Sequence, residues 1–161
     1  MLDSAHLVYI HGSGGDKSQT YKARILREIF PAMLAPDFDG ELPERMRQLS
    51  ALLGSESGWT LVGSSLGGLM AALFAIRHPA RVKKLVLLAP ALTLPEFTVE
   101  LPCRISVPTL IIQGSRDELI PLETSQTIAR QVFSDLAYQV VDDDHRLHKT
   151  AGELDWKELL E

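Results

Sequence analysis

Residues 61–70 read LVGSSLGGLM and carry the strongest structural signal in the chain. The apolar run at residues 59–62 predicts a strand, and the alanine- and leucine-rich residues after the motif contain no helix breaker until the next proline. The stretch therefore predicts a strand, a tight turn at Ser65 and a helix. Gly63 and Gly67 flank Ser65 where a sharp strand-to-helix turn leaves no room for a side chain.

A serine held at such a turn projects from the sheet beside the N-terminus of the next helix. That N-terminus offers free N–H groups and a partial positive charge to any negative charge that forms nearby. Gly68 allows the start of the helix to lie close to the neighbouring strands. The alternative interpretation is an ordinary glycine- and serine-rich turn, because so short a pattern also arises by chance.

Composition indicates an ordinary globular protein with a single domain over residues 1–161. The chain is 45% hydrophobic and 23% charged, and its length is sufficient for one sizeable core. A net charge of −5 does not favour a nucleic-acid surface. The single cysteine, Cys103, excludes an intramolecular disulfide and suggests no zinc cluster. With no signal-peptide pattern and no apolar run near the ~20 residues that span a bilayer, we expect a cytoplasmic protein without a membrane partner.

Apolar runs alternate with helical patterns along the chain. Each predicted strand is apolar throughout, which is typical of a parallel sheet covered by helices on both faces. We therefore predict an α/β three-layer sandwich with a mostly parallel sheet of about six strands. Ser18 or Thr20 is the candidate N-cap of the first helix. The predicted strands are residues 7–10, 32–36, 59–63, 82–89, 109–113 and 138–141, and the predicted helices are about 21–30, 43–53, 69–78, 122–133 and 154–160.

Four polar loops follow strands at the same predicted edge of the sheet. In open α/β sheets, ligands bind beyond the carboxyl ends of the strands. That edge would carry residues 12–15 (GSGG), Ser65, Asp117 and His145. The glycines of the first loop would allow its backbone to approach a ligand closely.

Taken in chain order, the motifs resemble those of the α/β-hydrolase family. That family places a nucleophilic serine, an acid and a histidine in this order along the chain. The resemblance covers nearly the whole sequence and implies the family's fold. The motifs are His11-Gly12 after the first strand, GSSLG at residues 63–67, GSRD at residues 114–117 followed by Pro121, and His145 after the last strand.

The resemblance implies a catalytic triad of Ser65, Asp117 and His145. Imidazole titrates near neutral pH, so it can take the serine proton and return it to a leaving group. A carboxylate behind the imidazole fixes its tautomer and stabilises the imidazolium. By the same resemblance, the backbone N–H groups of Ser13 and Leu66 would form the oxyanion hole.

Alternatives exist for several of these residues. Asp117 could be a turn residue, although the pattern around it favours the acid role. His148 lies three residues after His145 and is the alternative base, but we prefer His145 because it directly follows the loop of the last strand. We interpret His11 as structural support for the oxyanion loop, and residues 142–144 (DDD) as a solvated acidic loop.

Two departures from the family shape the functional hypothesis. About five residues precede the first strand, so we expect the usual antiparallel N-terminal strands to be missing. Residues 90–107 are too few for a cap domain and allow only a loop or one small helix. A capless site would be open and shallow, which favours small or exposed acyl groups. Leu92, Leu94, Phe97 and Val99 could line this site or only cover the sheet.

The sequence thus predicts a serine hydrolase that cleaves a carboxylic ester or thioester through an acyl-enzyme. We expect no metal, no cofactor and no nucleic-acid partner, and a monomer or homodimer. One alternative is a lyase or C–C hydrolase on the same fold, since fold does not settle function. Another is a non-catalytic interaction module with a vestigial site, against which the presence of serine, acid and histidine argues.

Overall fold

A five-stranded parallel sheet forms the centre of the fold. The computed structural model describes residues 1–13 and 20–161, and over these residues the strands lie side by side in sequence order. Every neighbouring pair is parallel, which confirms the predicted α/β class. The strands are β1 (Leu7–Ile10), β2 (Trp59–Ser64), β3 (Val82–Leu88), β4 (Thr109–Gly114) and β5 (Leu136–Val141).

Helices connect the strands. Thr20 caps the first helix by accepting a hydrogen bond from the N–H of Ala23 at 3.2 Å, while Gly14, Gly15 and Ser18 lie outside the described residues. In the described part of the chain, no helix is long and apolar enough to cross a membrane. The helices are α1 (Tyr21–Ile29), α2 (Leu42–Leu53), α3 (Leu66–Arg77), α4 (Pro95–Thr98), α5 (Leu122–Val132), α6 (His148–Glu153) and α7 (Trp156–Leu160), with short 3-10 segments at Ser4–His6 and Pro79–Arg81.

The two faces of the sheet are covered by different helices, as predicted. Leu85 and Leu87 of β3 pack in the layer with α2, α3 and α5. Val86 and Leu88, which alternate with them, pack in the layer with α1, α6 and α7. Because both faces are buried, the central strands lack the polar alternation of a half-exposed sheet.

The predicted strand at residues 32–36 is wrong. Only Leu34 pairs with the sheet, as an isolated parallel bridge to Val8. Its carbonyl accepts from the N–H of Tyr9 at 2.8 Å, and its own N–H donates to the carbonyl of Leu7 at 2.9 Å. Pro36 has no N–H to continue the ladder, which limits the segment to this single bridge.

This bridge predicts that a ligand crevice would lie between β1 and β2. Leu34, which follows β1 in the chain, pairs with one edge of β1, and β2 pairs with the other edge. The chain therefore places successive segments on opposite sides of β1. In open α/β sheets, the ends of the strands separate at such a reversal and leave a crevice. Gly12 and Ser65 follow the carboxyl ends of these two strands.

The region between β3 and β4 has no cap domain. Over residues 89–108 the single helix is the one-turn α4, in agreement with the sequence prediction. Leu92 and Phe97 are fully buried and cover the sheet, whereas Leu94 and Val99 are exposed. The predicted terminal helix corresponds to α7. The short helix α6 before it was not predicted from the sequence.

Gly67 packs against β1 too closely for any side chain. A Cβ built at Gly67 would lie 2.0 Å from the carbonyl oxygen of Ile10. We expect Gly67→Ala to lower the free energy of unfolding by about 1–3 kcal/mol, the usual effect of overpacking, as measured by urea denaturation. Gly152→Ala in α6 is the control, because its Cβ would meet only the flexible hydroxyl end of Tyr21 among the nearby atoms. Equal stability of the two variants would contradict this packing argument.

Candidate active site

Ser65 lies at the turn between β2 and α3 in a strained backbone conformation. Its φ is 55° and its ψ is −112°, a region that side chains rarely adopt. Hydrogen bonds hold it there: its N–H donates to the carbonyl of Leu88 at 2.9 Å, and its carbonyl accepts from Leu69 and Ala91 at 3.1 Å each. The surrounding backbone thus stabilises a turn that displays the half-buried Ser65 hydroxyl at the sheet edge.

Close backbone packing explains the glycines around this turn. A Cβ at Gly63 would lie 2.4 Å from the carbonyl oxygen of Gly67, and a Cβ at Gly67 would lie 2.0 Å from that of Ile10. Neither glycine can therefore be replaced by a larger residue unless the backbone moves. A Cβ at Gly12 would lie 3.3 Å from the Cβ of Ser65. The first loop therefore approaches the serine directly.

Ser65, His145 and Asp117 form a continuous chain of hydrogen bonds. The Nε2 of His145 lies 3.0 Å from the Oγ of Ser65, and its Nδ1 lies 2.9 Å from the Oδ2 of Asp117. The Asp117 side chain is fully buried, and its Oδ1 accepts from the N–H groups of Leu119 and Ile120 at 2.9 Å each. A carboxylate at Nδ1 keeps the proton on that nitrogen and leaves Nε2 able to accept the Ser65 proton.

His148, the alternative base, lies away from this chain. It is the first residue of α6, and its ring packs edge-on against Tyr21, with ring centroids 4.4 Å apart. The geometry therefore favours His145 over His148 as the partner of Ser65.

The loop after β1 is held by a buried histidine. His11 is 1% exposed; its Nε2 accepts from the N–H of Phe38 at 2.8 Å, and its Nδ1 lies 2.6 Å from the carbonyl oxygen of Gly12. These partners place the ring proton on Nδ1, consistent with the structural role expected for His11. The N–H of Leu66 is the first of α3, so it has no acceptor within the helix. Ser13, the residue after Gly12, follows β1 and so lies across the crevice from Leu66, which follows β2.

A pocket of about 310 Å³ adjoins these backbone groups. Ser13 and Leu66 line it together with Leu42, Leu69 and the exposed Leu94. The volume is at the lower end of the range for ligand pockets, which is consistent with the absence of a cap.

A second pocket of about 700 Å³ borders the other two members of the hydrogen-bonded chain. His145 and Asp117 line it with several charged side chains, including Arg116 and Arg146. The candidate site therefore has a smaller pocket with leucines at the backbone N–H groups and a larger, more polar one at the histidine.

Comparison with known families agrees with this architecture. The family model for the alpha/beta hydrolase fold matches residues 5–103, which is more than half of the chain. The chain belongs to this family. A search of curated proteins finds no significant match.

Solved structures with the hydrolase fold resemble the chain over most of its length. Alpha/beta hydrolase domain-containing protein 10 from mouse is 22% identical with a TM-score of 0.71, covering 90% of this chain and 83% of its own. An alpha-beta serine hydrolase homologue from Coxiella burnetii is 20% identical with a TM-score of 0.72, covering 97% and 83%. Est1E from Butyrivibrio proteoclasticus is 18% identical with a TM-score of 0.71, covering 96% and 88%. At these identities the likeness supports the fold alone.

A buried glutamine contacts Asp117 in this hydrolase-fold site, and no sequence pattern indicated it. Gln113 is fully buried at the end of β4; its Nε2 donates to the carbonyl of Ile120 at 2.9 Å and lies 3.5 Å from the Oδ2 of Asp117. The Tyr138 hydroxyl donates to the Gln113 Oε1. This network links β5 to the loop that carries Asp117.

The interpretation of residues 142–144 as a solvated acidic loop is wrong for Asp143. Its neighbours are exposed, but Asp143 is 7% exposed, and its Oδ2 accepts from the N–H and the hydroxyl of Thr150 at 3.0 and 2.7 Å. Its carbonyl lies so close to Gly114 that a Cβ there would be 2.2 Å away. Asp143 thus connects the loop that carries His145 both to α6 and to the start of the loop that carries Asp117.

Hydrogen bonding also sets the ionisation of Asp143. Burial would raise the pKa of its carboxyl group, but the hydrogen bonds donated by Thr150 and by the N–H of Asp144 outweigh burial and lower the pKa. A carboxylate with a lowered pKa in the folded state stabilises the fold at pH values above its unfolded pKa. That contribution is lost as the pH falls through the folded pKa.

We therefore expect Asp143→Asn to destabilise the fold near neutral pH by about 1–3 kcal/mol, because an amide keeps only one acceptor oxygen and turns its NH2 group toward either the Asp144 N–H or the two Thr150 donors. The deficit relative to wild type should begin to shrink below about pH 4, the ordinary pKa of an aspartate in the unfolded chain, and should close as the pH falls through the lower pKa of the folded state. Urea denaturation across this pH range measures both. Asp142→Asn is the control, since the Asp142 side chain makes an exposed ion pair with Arg116. A deficit that stays constant with pH would contradict the assigned role of the Asp143 charge.

Proposed function

We propose that the chain is a serine hydrolase that cleaves a carboxylic ester or thioester through an acyl-enzyme. The hydrogen-bonded chain from Asp117 through His145 to Ser65 carries this proposal, because it is the arrangement that activates a serine hydroxyl. Membership of the alpha/beta hydrolase fold family supports it.

In the acylation step, the Oγ of Ser65 attacks the substrate carbonyl carbon while the Nε2 of His145 takes the hydroxyl proton. The carbonyl oxygen becomes negatively charged and accepts hydrogen bonds from the N–H groups of Leu66 and Ser13. The partial positive charge at the N-terminus of α3 stabilises the same oxyanion. Collapse of this intermediate breaks the bond to the alcohol or thiol, which receives the proton from His145.

In the deacylation step, a water molecule replaces the leaving group. His145 takes a proton from this water, whose oxygen attacks the ester carbon on Ser65. The second tetrahedral intermediate breaks the bond to Ser65 Oγ, returns the proton to that oxygen and releases the carboxylic acid. Throughout the cycle, the buried Asp117 carboxylate stabilises the imidazolium form of His145.

The size of the acyl pocket supports a small or exposed acyl group as substrate. The pocket beside Ser13 and Leu66 measures about 310 Å³, and the nearby α4 is a single turn. Additional carbons of a long acyl chain would therefore extend into water, where they add no hydrophobic binding energy.

We expect Ser65→Ala to lower kcat by about three or more orders of magnitude without unfolding the protein, the scale seen when a triad serine is removed. Ser64→Ala is the matched control, because Ser64 is the adjacent serine but is buried in β2. A p-nitrophenyl acetate assay and labelling with a fluorophosphonate probe, followed by peptide mapping, measure activity and nucleophile together. Retained activity or labelling in Ser65→Ala would contradict the assignment.

We expect kcat/KM on p-nitrophenyl esters to be highest at short acyl chains, about C2 to C6, because each further methylene stays in water and adds none of its ~0.8 kcal/mol. The measurement is one ester series from acetate to palmitate under matched detergent. A steady rise to about C12 or beyond would show that a long apolar channel binds the acyl chain.

A further inference from the structure

Arg45 is a buried cation in α2 that the proposed mechanism does not use. It is 5% exposed, and its guanidinium donates to the carbonyl of Gly12 at 3.2 Å, of Phe38 at 3.3 Å and of His11 at 3.4 Å. Burial lowers the pKa of Arg45 from its ordinary value, while the negative charge of Asp39 raises it. Because an arginine keeps its proton at all physiological pH values, the group that contacts these carbonyls is a charged one.

The Gly12 carbonyl belongs to the same peptide unit as the N–H of Ser13. A trans peptide is planar, and its N–H points opposite to its C=O. Donors that fix the direction of the Gly12 carbonyl therefore also fix the direction of the Ser13 N–H. Arg45 approaches this oxygen from α2, and the Nδ1 of His11 approaches it at 2.6 Å.

We propose that Arg45 is a positioning residue for the oxyanion hole: it holds the Gly12–Ser13 peptide so that the Ser13 N–H points into the crevice. The inference rests on the proposed function for its effect on catalysis. Arg45 also lines the 310 Å³ pocket together with Ser13 and Leu66, so it lies beside the proposed oxyanion hole. A cation at the carbonyl oxygen polarises the peptide unit and makes its N–H a stronger donor.

The shape of the guanidinium suits this role better than an ammonium group does. Its Nη1 reaches the carbonyl of His11 while its Nη2 reaches those of Gly12 and Phe38. A lysine carries one nitrogen and cannot repeat this planar, forked arrangement. Arg45 thus joins the loop after β1 to the chain at Phe38, which precedes α2.

The expected effect is on kcat, with little effect on KM, because the oxyanion exists only in the transition state and the intermediates. Complete removal of one oxyanion donor lowers kcat by about 10²–10³. Loss of its orientation should have a smaller effect, so we expect Arg45→Met to lower kcat roughly tenfold to a hundredfold. Arg45→Lys should fall between Arg45→Met and wild type.

The experiment compares these variants with Arg47→Met, which removes an exposed arginine of the same helix that pairs with Glu44. The first readout is kcat/KM on p-nitrophenyl acetate divided by kcat/KM on the matching thionoester. Sulfur is a poor acceptor, so a formed oxyanion hole prefers the oxygen ester. This preference should shrink in Arg45→Met and stay unchanged in Arg47→Met, which general destabilisation would not produce.

The second readout does not depend on activity. The amide signal of Ser13 in ¹⁵N NMR spectra should shift in Arg45→Met but not in Arg47→Met. An unchanged Ser13 signal, or an unchanged oxygen-to-sulfur preference in an active variant, overturns the inference. A shifted Ser13 signal in a protein that hydrolyses no ester supports the positioning role and rejects the proposed function. If Arg45→Met fails to fold, Arg45→Lys gives the same comparisons.

Discussion

The contact between the start of α3 and the end of β1 is the constraint on which the candidate site depends. The backbone at Gly67 packs directly against the carbonyl of Ile10, with no space for a side chain. This approach brings the N-terminus of α3 to the crevice and forces the chain to reverse sharply at Ser65, which takes a positive φ. The strained conformation of Ser65 is held by hydrogen bonds to Leu88 at the end of β3, to Ala91 just after it and to Leu69 of α3, so the surrounding structure supports an unfavourable turn.

The remaining parts of the site come from distant strand ends and meet because the sheet is parallel. The loop that carries Asp117 follows β4, and the loop that carries His145 follows β5. The two loops are in contact where Gly114 packs against the carbonyl of Asp143. Burial of the Asp117 carboxylate is tolerated because two backbone N–H groups and His145 satisfy its oxygens. The side of the site with Asp117 is therefore held by hydrogen bonds, whereas the pocket beside Ser13 is bounded by Leu42 of α2, by Leu69 of α3 and by the start of the single-turn α4.

The sequence predicted the features that local chemistry determines. Glycine spacing around Ser65 specifies the turn, and unbroken apolar runs specify buried parallel strands. The sequence-based predictions were wrong where contacts with other parts of the chain determine the structure. Residues 32–36 pair only once with β1, and Asp143 is buried because Thr150 of α6 donates to its carboxylate. Arg45 and Gln113 gave no signal, since an arginine on an amphipathic helix and a glutamine at a strand end normally face solvent. Arg45 contacts backbone carbonyls, and Gln113 contacts residues far away in the sequence, so no local side-chain pattern reveals either set of partners.

The central claim is that His145 activates Ser65 as the nucleophile. The most direct measurement is an acid quench of the protein during turnover of p-nitrophenyl acetate, followed by mass spectrometry of its peptides. The account predicts an acetyl group on Ser65 in the wild type and in His148→Ala, and none above background in His145→Ala. Acetylation of another residue, or undiminished acetylation of Ser65 in His145→Ala, would contradict it.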